Sequence, residues 1–211
     1  MPDAEETVRR FPSAPAAALL LVAGCAAAPG YMGRDVQPTS LTLARHQYRG
    51  FSVRPPQAAG WTVRVSEQTH ERAIYRRELP TKTHTFIAGV ALVQLNKSLP
   101  VEDALVPGAL ENAERYQVLE NSHEPDHSRR TTCIRYSIRL LDKQAPNSPS
   151  VPLIFIDRGL VCAHPGFPGM AVRASYSERG LEGELDPELW KDFEEFLGGV
   201  RIESSSGVPA A

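Results

Sequence analysis

Alternating apolar and polar positions dominate the middle of the chain and predict a β-sheet. The strongest segment runs from residue 83 to residue 95, where apolar side chains occupy both the even and the odd positions. A strand that is apolar on both faces must be covered on both faces. We therefore expect this strand in the centre of a sheet, with helices packed on its two sides.

Other segments show the period of two that is typical of half-buried strands. In residues 131–141, Ile134, Tyr136 and Ile138 face one side of the predicted strand, while Cys133 and Arg135 face the other. Further strands are predicted at residues 48–53, 61–66, 72–79, 116–121, 153–156, 160–163 and 170–177. A turn is expected at residues 157–159, and a solvated loop rich in Pro, Asn and Ser at residues 142–150.

Two segments have helical spacing. Residues 100–116 carry apolar side chains at roughly helical intervals, and Pro107 must kink or split this helix. In the second segment Asp186 is a good N-cap and Pro187 fits the first helical position. An apolar stripe follows, formed by Leu189, Phe193, Phe196, Leu197 and Val200. The order strands, helix, strands, helix predicts an α+β fold with a mainly antiparallel β-sheet flanked by helices.

The amino-terminal segment has the features of an export signal. Two arginines, Arg9 and Arg10, precede an apolar, alanine-rich stretch that ends in small residues before Cys25. The stretch is shorter than the roughly 20 apolar residues that a membrane-spanning helix needs. We therefore expect this segment to be removed from the mature protein.

The end of this segment, Leu21-Val22-Ala23-Gly24-Cys25, resembles the lipobox of bacterial lipoproteins. The resemblance implies diacylglycerol transfer to the Cys25 thiol, cleavage before Cys25 and acylation of its new amino group, so that palmitate or a similar acyl chain is attached. Ala26 in place of Asp resembles an outer-membrane address. The alternative is an ordinary secretory signal with an incidental cysteine.

The chain is thus expected to have four parts. Residues 1–24 form the signal peptide, and residues 25–46 contain the lipidated cysteine and a flexible tether rich in Ala, Pro and Gly. Residues 47–203 form the α+β domain. Residues 204–211 form a short tail of small and polar residues that we expect to be disordered.

One short motif resembles a known group of folds. Phe51-x-Val53-x-x-Pro56, leading to Gly60-Trp61-x-Val63, resembles the PsbP-like and DcrB-like α/β/α sandwich proteins over residues 47–202. That group includes photosystem accessory proteins and bacterial envelope lipoproteins. The resemblance implies a binding or assembly role rather than catalysis.

Charge adds a local feature to this picture. The formal net charge is only −2, so no global field favours a nucleic acid partner. Residues 34–82 nevertheless carry nine basic and four acidic side chains, and residues 178–203 carry nine acidic and three basic ones. These segments are either two solvated faces of opposite sign or include a basic patch near the tether that meets anionic head groups.

The cysteine count bears on the compartment. The chain has three cysteines, and if Cys25 is lipidated the exported domain retains Cys133 and Cys162. An even number outside the cytosol predicts a disulfide between them. The alternative is a pair of buried free thiols, since free cysteine packs as a small hydrophobe.

Candidate chemistry is sparse, and we predict no catalytic residue, no metal ligand and no cofactor. Residues 123–127 offer imidazole and carboxylate groups, but Pro125 prevents helical ligand geometry, so a solvated loop is expected there. The candidate ligand-facing loop residues are His164, Ser175, Ser177 and Arg179.

These patterns predict a membrane-anchored envelope lipoprotein facing the periplasm, with a non-catalytic domain for binding or assembly. Its expected partners are the membrane, through Cys25, and an envelope protein or a small ligand. The alternative is an envelope hydrolase or transferase that uses Cys162 with His164, or the loop from Ser175 to Arg179. A lipid or quinone carrier would require a large apolar cavity in the core.

Overall fold

The computed structural model describes residues 44–63, 68–105 and 114–203; the signal segment, most of the tether, Cys25 and the tail lie outside this part of the chain. Within it the strands are β1 (His46–Tyr48), β2 (Phe51–Val53), β3 (Trp61–Val63), β4 (Arg72–Arg77), β5 (Thr85–Gln94), β6 (Tyr116–Pro125), β7 (Cys133–Asp142), β8 (Leu153–Ala163), β9 (Met170–Gly180) and β10 (Arg201–Ile202). The helices are α1 (Val101–Leu105) and α2 (Phe193–Gly199), and short 3-10 turns cover Glu182–Glu184 and Pro187–Trp190.

The strands form two sheets, and every pairing is antiparallel. The larger sheet has seven strands in the order β3-β4-β5-β9-β8-β7-β6, and the smaller has three in the order β1-β2-β10. The prediction of a mainly antiparallel α+β fold is confirmed, with the sheets contributing more and the helices less than expected.

Each face of the seven-stranded sheet carries its own hydrophobic core. On one face the buried side chains of Phe86 and Tyr176 pack with Phe196 and Leu197 of α2; we call this the α2 face. On the other, the α1 face, Leu105 packs with Ile134 and its neighbours on β7. The even positions of β5 from Phe86 to Leu92 are buried and its odd positions are half-buried. The strand lies between β4 and β9, inside the sheet, as the sequence predicts.

One predicted turn is absent. Residues 157–159 lie inside the single continuous strand β8. A glycine is required at position 159 because neighbouring strands approach it closely. A Cβ at Gly159 would lie 2.3 Å from the carbonyl oxygen of Ala174 and 2.8 Å from the hydroxyl of Tyr136. The glycine therefore permits a close approach between strands, which local sequence cannot distinguish from a turn signal.

The helical predictions hold only in part. The segment predicted as a helix over residues 100–116 forms α1 at its start and already belongs to β6 at Tyr116; residues 106–113 lie outside the described part. At the second helix, the Asp186 carboxylate caps the 3-10 turn by accepting a hydrogen bond from the Glu188 backbone N–H at 2.9 Å. The chain then continues into the separate helix α2.

The two cysteines of the domain lie opposite each other. Cys133 on β7 is the register partner of Cys162 on β8. Both side chains are buried on the α2 face, and their sulfur atoms are 2.10 Å apart, at bonding distance. The predicted pair of cysteines is therefore brought together by the antiparallel register of these two strands.

A buried carboxylate links β9 to the segment that leads into α2. Glu178 is 1% exposed. Its Oε1 accepts hydrogen bonds from His84 Nε2 at 2.8 Å and from the Asp186 backbone N–H at 2.9 Å. Its Oε2 accepts one from Trp190 Nε1 at 2.6 Å. Burial of this charge is tolerated because three donors replace the water that it loses.

A second buried carboxylate lies at the end of β7. Asp142 is fully buried and accepts two hydrogen bonds of 2.8 Å from the Arg115 guanidinium, with Arg179 Nε 3.4 Å away. Burial by itself would raise the pKa of Asp142, but the hydrogen bonds from Arg115 and the charge of Arg179 outweigh it, so the pKa lies below its ordinary value.

The pKa of Asp142 is lower in the folded protein than in the unfolded chain, so the ionised carboxylate stabilises the fold at pH values above the unfolded pKa of about 3.9. This stabilisation is lost as the pH falls through the folded pKa. We expect Asp142→Asn to lower the free energy of unfolding at pH 7 by about 2–3 kcal/mol. The difference from wild type should shrink at pH 3. Urea denaturation at both pH values measures it, and a difference that does not change with pH would contradict this role.

The matched control is Glu120→Gln. Glu120 also pairs with an arginine of the sheet, Arg139, but its side chain is 71% exposed. An exposed ion pair contributes little, so the control should change the free energy of unfolding by less than about 1 kcal/mol at either pH.

No helix among the residues that the structure describes is both long and apolar enough to cross a bilayer.

Candidate functional site

The structure does not support His164 as a ligand-facing residue. Its side chain is buried after β8, and both ring nitrogens are engaged. Nε2 lies 2.9 Å from the Gly50 carbonyl oxygen, and Nδ1 accepts a hydrogen bond from the Gly166 backbone N–H at 3.0 Å. This pattern places the proton on Nε2, as donor to Gly50. His164 thus fixes the turn after β8 against the turn between β1 and β2.

A nucleophile built on Cys162 and His164 also loses its support. The Cys162 sulfur lies at bonding distance from that of Cys133, and a thiolate is needed for attack. The imidazole of His164 is held by Gly50 and Gly166 and faces the stacked ring of Phe167, whose centroid is 4.4 Å away.

Ser175, Ser177 and Arg179 do not form a loop. They lie within β9, which continues to Gly180 and pairs with β5 and β8 along its whole length. Their side chains project from the α1 face, where Ser177 is the register partner of Asp157. Arg179 is occupied by Asp142, at 3.4 Å. Consecutive polar residues in a strand look like a loop in the sequence when the residues that they contact lie on other strands.

The structure adds a polar cluster on the α1 face that the sequence did not indicate. The Arg173 guanidinium pairs with the buried carboxylate of Asp157, and its Nε donates to the Tyr136 hydroxyl at 2.8 Å. Burial raises the pKa of Asp157 in spite of the Arg173 charge, and burial also raises the pKa of Tyr136. The three groups satisfy one another and hold β7, β8 and β9 in register.

The metal-like segment is a strand rather than a loop. His123 and Glu124 are consecutive residues of β6, so their side chains project to opposite faces. Asp126 accepts a hydrogen bond from the Ser128 backbone N–H at 2.8 Å. Over residues 44–63, 68–105 and 114–203, no group of three or more His, Cys, Asp or Glu side chains is arranged to hold a metal ion.

The best candidate for a binding site is a groove beside α2, which we call the arginine groove. Its volume is about 660 Å³, within the usual range for small-molecule sites. Three segments form it: the chain at the start of β1, the chain that follows β2, and α2 with the start of β10. The lining residues are Arg45, Arg54, Pro55, Pro56, Gln57, Asp192, Glu195, Phe196, Gly198, Gly199 and Arg201.

Three guanidinium groups give this groove its positive charge. Arg45 Nη1 donates to the Gly199 carbonyl oxygen at the end of α2, at 2.6 Å, and lies 3.3 Å from Ser52 Oγ. Burial lowers the pKa of Arg45, and the neighbouring charges of Arg201 and Arg54 lower it further. The three arginines therefore share one electrostatic environment, which an anion would stabilise.

Two of these arginines are free to bind a ligand. Arg54 and Arg201 are exposed, and no carboxylate in the described part of the chain lies within 4.0 Å of either guanidinium, whereas several other arginines are paired. The charge of Glu203 raises the pKa of Arg45. The Glu203 carboxylate accepts a hydrogen bond from Ser52 Oγ at 2.7 Å.

The same groove contains two acidic residues contributed by the α2 region. Asp192 Oδ2 accepts a long hydrogen bond of 3.4 Å from the Ala58 backbone N–H. Glu195 is exposed and forms no ion pair with the described residues. Phe196 also lines the groove, although most of its side chain is buried in the core of the α2 face. A lining with this many charged side chains suits a polar ligand better than a lipid tail or a quinone.

The sequence indicated only part of this site. The basic excess over residues 34–82 includes Arg45 and Arg54, two of the three arginines of the groove. Arg201 comes from the acidic segment near the end of the chain, and no spacing pattern connects it with the other two. The antiparallel pairing of β10 with β2 places Arg201 opposite Ser52.

Comparison with known proteins yields similarity in fold only. No family model and no curated protein sequence matches the chain. A solved structure of a mutant of the protein Mog1 covers 77% of this chain and 97% of its own at 9% identity, with a TM-score of 0.47. The Ran-binding protein Mog1p of Saccharomyces cerevisiae covers 76% of this chain and 96% of its own at 8% identity, with a TM-score of 0.45.

Proposed function

We propose that this chain is a bacterial lipoprotein precursor whose mature form is anchored to the outer membrane through Cys25 and faces the periplasm. Its domain serves as a non-catalytic binding or assembly module, and the arginine groove is its binding site. The observation that carries the proposal is the groove itself, a site of about 660 Å³ in which the exposed guanidinium groups of Arg54 and Arg201 form no ion pair with any residue that the structure describes.

The engagement of the other candidate groups supports binding over catalysis. The alternative, an envelope hydrolase or transferase, would use Cys162 with His164 or a loop from Ser175 to Arg179. The first pair is occupied by a sulfur partner and by backbone groups, and the second segment is an internal strand. Groups that are held in this way have lost the freedom that attack on a substrate requires.

We further propose that the domain belongs to the PsbP-like and DcrB-like α/β/α sandwich group. The residues of the shared motif have structural roles that agree with it. Phe51 and Val53 are fully buried on β2, Gly60 has a φ of 88° before the buried Trp61, and the Trp61 ring lies 5.3 Å from those of Phe86 and Tyr176.

The anchor is tested by replacing Cys25. In Cys25→Ser the thiol that accepts the lipid is lost, and we expect the protein to move almost completely from the membrane fraction to the soluble fraction. Two or more acyl chains give stable anchoring, whereas none remains in the variant. Fractionation of cells with immunoblotting measures the change, and the mass of the amino-terminal peptide of the wild type identifies the lipid.

The control is Ala28→Ser, which introduces the same hydroxyl three residues after the anchor and should remain in the membrane fraction. Continued association of Cys25→Ser with membranes washed at high salt would contradict the anchor. It would leave the arginine groove as a binding site unaffected, because the groove belongs to the folded domain.

A further inference from the structure

Side chains of both charges line the arginine groove. Arg45, Arg54 and Arg201 come from the chain around β1, β2 and β10, whereas Glu195 and Asp192 come from α2 and the residue before it. A simple anion would be attracted by the first group and repelled by the second. A ligand that carries both an anionic and a cationic group would satisfy both.

The anionic group is expected to be a phosphate ester. The guanidinium fork matches phosphate oxygens in pairs, and phosphate offers enough oxygens to engage more than one arginine at once. The cationic group is expected to be a primary ammonium, because the exposed Glu195 carboxylate can accept its hydrogen bonds.

From this pairing we infer that the arginine groove binds a phosphoethanolamine group, with Arg54 and Arg201 on the phosphate and Glu195 on the ammonium. Such a group occurs as a lipid headgroup and as a soluble ester. Within the proposed function the headgroup is the nearer source, because Arg45 follows the lipidated Cys25 by only 20 positions in the sequence.

The role of Arg45 differs from that of the other two arginines. Its Nη1 is bound to the Gly199 carbonyl oxygen at the end of α2, so its loss would disturb the helix as well as the ligand. The guanidinium groups of Arg54 and Arg201 form no such contact with the described residues, so these side chains can be replaced with little effect on folding. They are therefore the informative positions.

The test is calorimetric titration of the wild-type chain in a maltoside detergent, which contains no phosphate, with phosphoethanolamine, glycerol phosphate, inorganic phosphate and ethanolamine. We expect phosphoethanolamine to bind at least about tenfold more tightly than the other three. Arg54→Ala and Arg201→Ala should each weaken its binding about tenfold, which corresponds to the loss of one charge-assisted contact. Arg72→Ala, an exposed arginine of β4, should leave it unchanged.

Glu195→Gln isolates the cationic half of the site. It should weaken phosphoethanolamine binding while leaving the binding of glycerol phosphate equal or tighter, because a repulsive charge is removed. Its control is Glu194→Gln on the same helix; Glu194 pairs with Arg135 at 2.6 Å and does not line the groove. Equal affinity for phosphoethanolamine and glycerol phosphate, or no binding of either, would overturn the inference.

A competition experiment identifies the source of the group. Vesicles that contain phosphatidylethanolamine should displace a fluorescent phosphoethanolamine probe if the ligand is a headgroup, while vesicles of phosphate-free glycolipid should not. Retention of the probe assigns the site to the soluble ester. Because the titrations use detergent-solubilised protein, their result does not depend on whether Cys25 carries a lipid.

Discussion

Glu178→Ala is expected to lower the free energy of unfolding by about 3–5 kcal/mol. The substitution removes a carboxylate that is 1% exposed and leaves three donors without their acceptor: His84 Nε2, Trp190 Nε1 and the Asp186 backbone N–H. Unpaired polar groups in a water-free environment carry the full cost of their desolvation. The effect is a large part of the roughly 5–15 kcal/mol by which a typical domain is stable.

The measurement is urea denaturation followed by tryptophan fluorescence, which reports on Trp190 directly. Glu178→Gln should lose less stability, because its amide oxygen can still accept while its NH2 group faces one of the former donors. Glu188→Ala is the control, in the 3-10 turn that contains Trp190. The Glu188 carboxylate is 67% exposed and pairs with Lys191, so the change should stay below about 1 kcal/mol. A similarly small change in Glu178→Ala would contradict the role of the buried carboxylate.

The second large effect concerns the two sulfur atoms. If Cys133 and Cys162 are bonded, their separation of 29 residues predicts that the bond contributes about 3–4 kcal/mol by restricting the unfolded chain. The double variant Cys133→Ala/Cys162→Ala should lose this amount, and its stability should not depend on reductant. The wild type should lose a comparable amount when dithiothreitol is added.

Thiol labelling gives an independent measurement of the same bond. Unreduced wild-type protein, unfolded in urea, should take up no maleimide at Cys133 or Cys162, and two labels after reduction. Two labels without reduction would show that both residues are free thiols. The difference in the free energy of unfolding between the reduced wild type and the double variant then reports how well the two thiols pack on the α2 face.

The sequence predicted those parts of the fold that depend on local periodicity. The alternation in residues 131–141 correctly assigned Ile134, Tyr136 and Ile138 to one face of β7 and Cys133 to the other. The double-sided apolar pattern correctly placed β5 inside the sheet, and Asp186 is the cap that its position before Pro187 predicts. In each case the determining residues are close together in the chain.

The parts that were missed depend on partners far away in sequence. Asp157 and Gly159 have the composition of a turn, yet Asp157 is held by Arg173 from β9 and Gly159 admits the Tyr136 hydroxyl from β7. Ser175 and Ser177 lie beside this polar cluster, because they are the register partners of Gly159 and Asp157 on β8. The arginine groove combines side chains that are more than a hundred residues apart, and only the strand register brings them together.

The smaller sheet has one more consequence, for the engineering of this protein. β1 and β10 lie on either side of β2 and run parallel to each other: β1 begins beside Val53, whereas the chain leaves β10 beside Gly50. The two ends of the folded domain therefore leave this sheet at opposite ends. A peptide that joins residue 203 to residue 44 would have to span about 20 Å, and a new opening in the loop between β7 and β8 would then give a circular permutant. Such a molecule would carry the arginine groove without residues 1–43, and an affinity tag could be placed at the new opening.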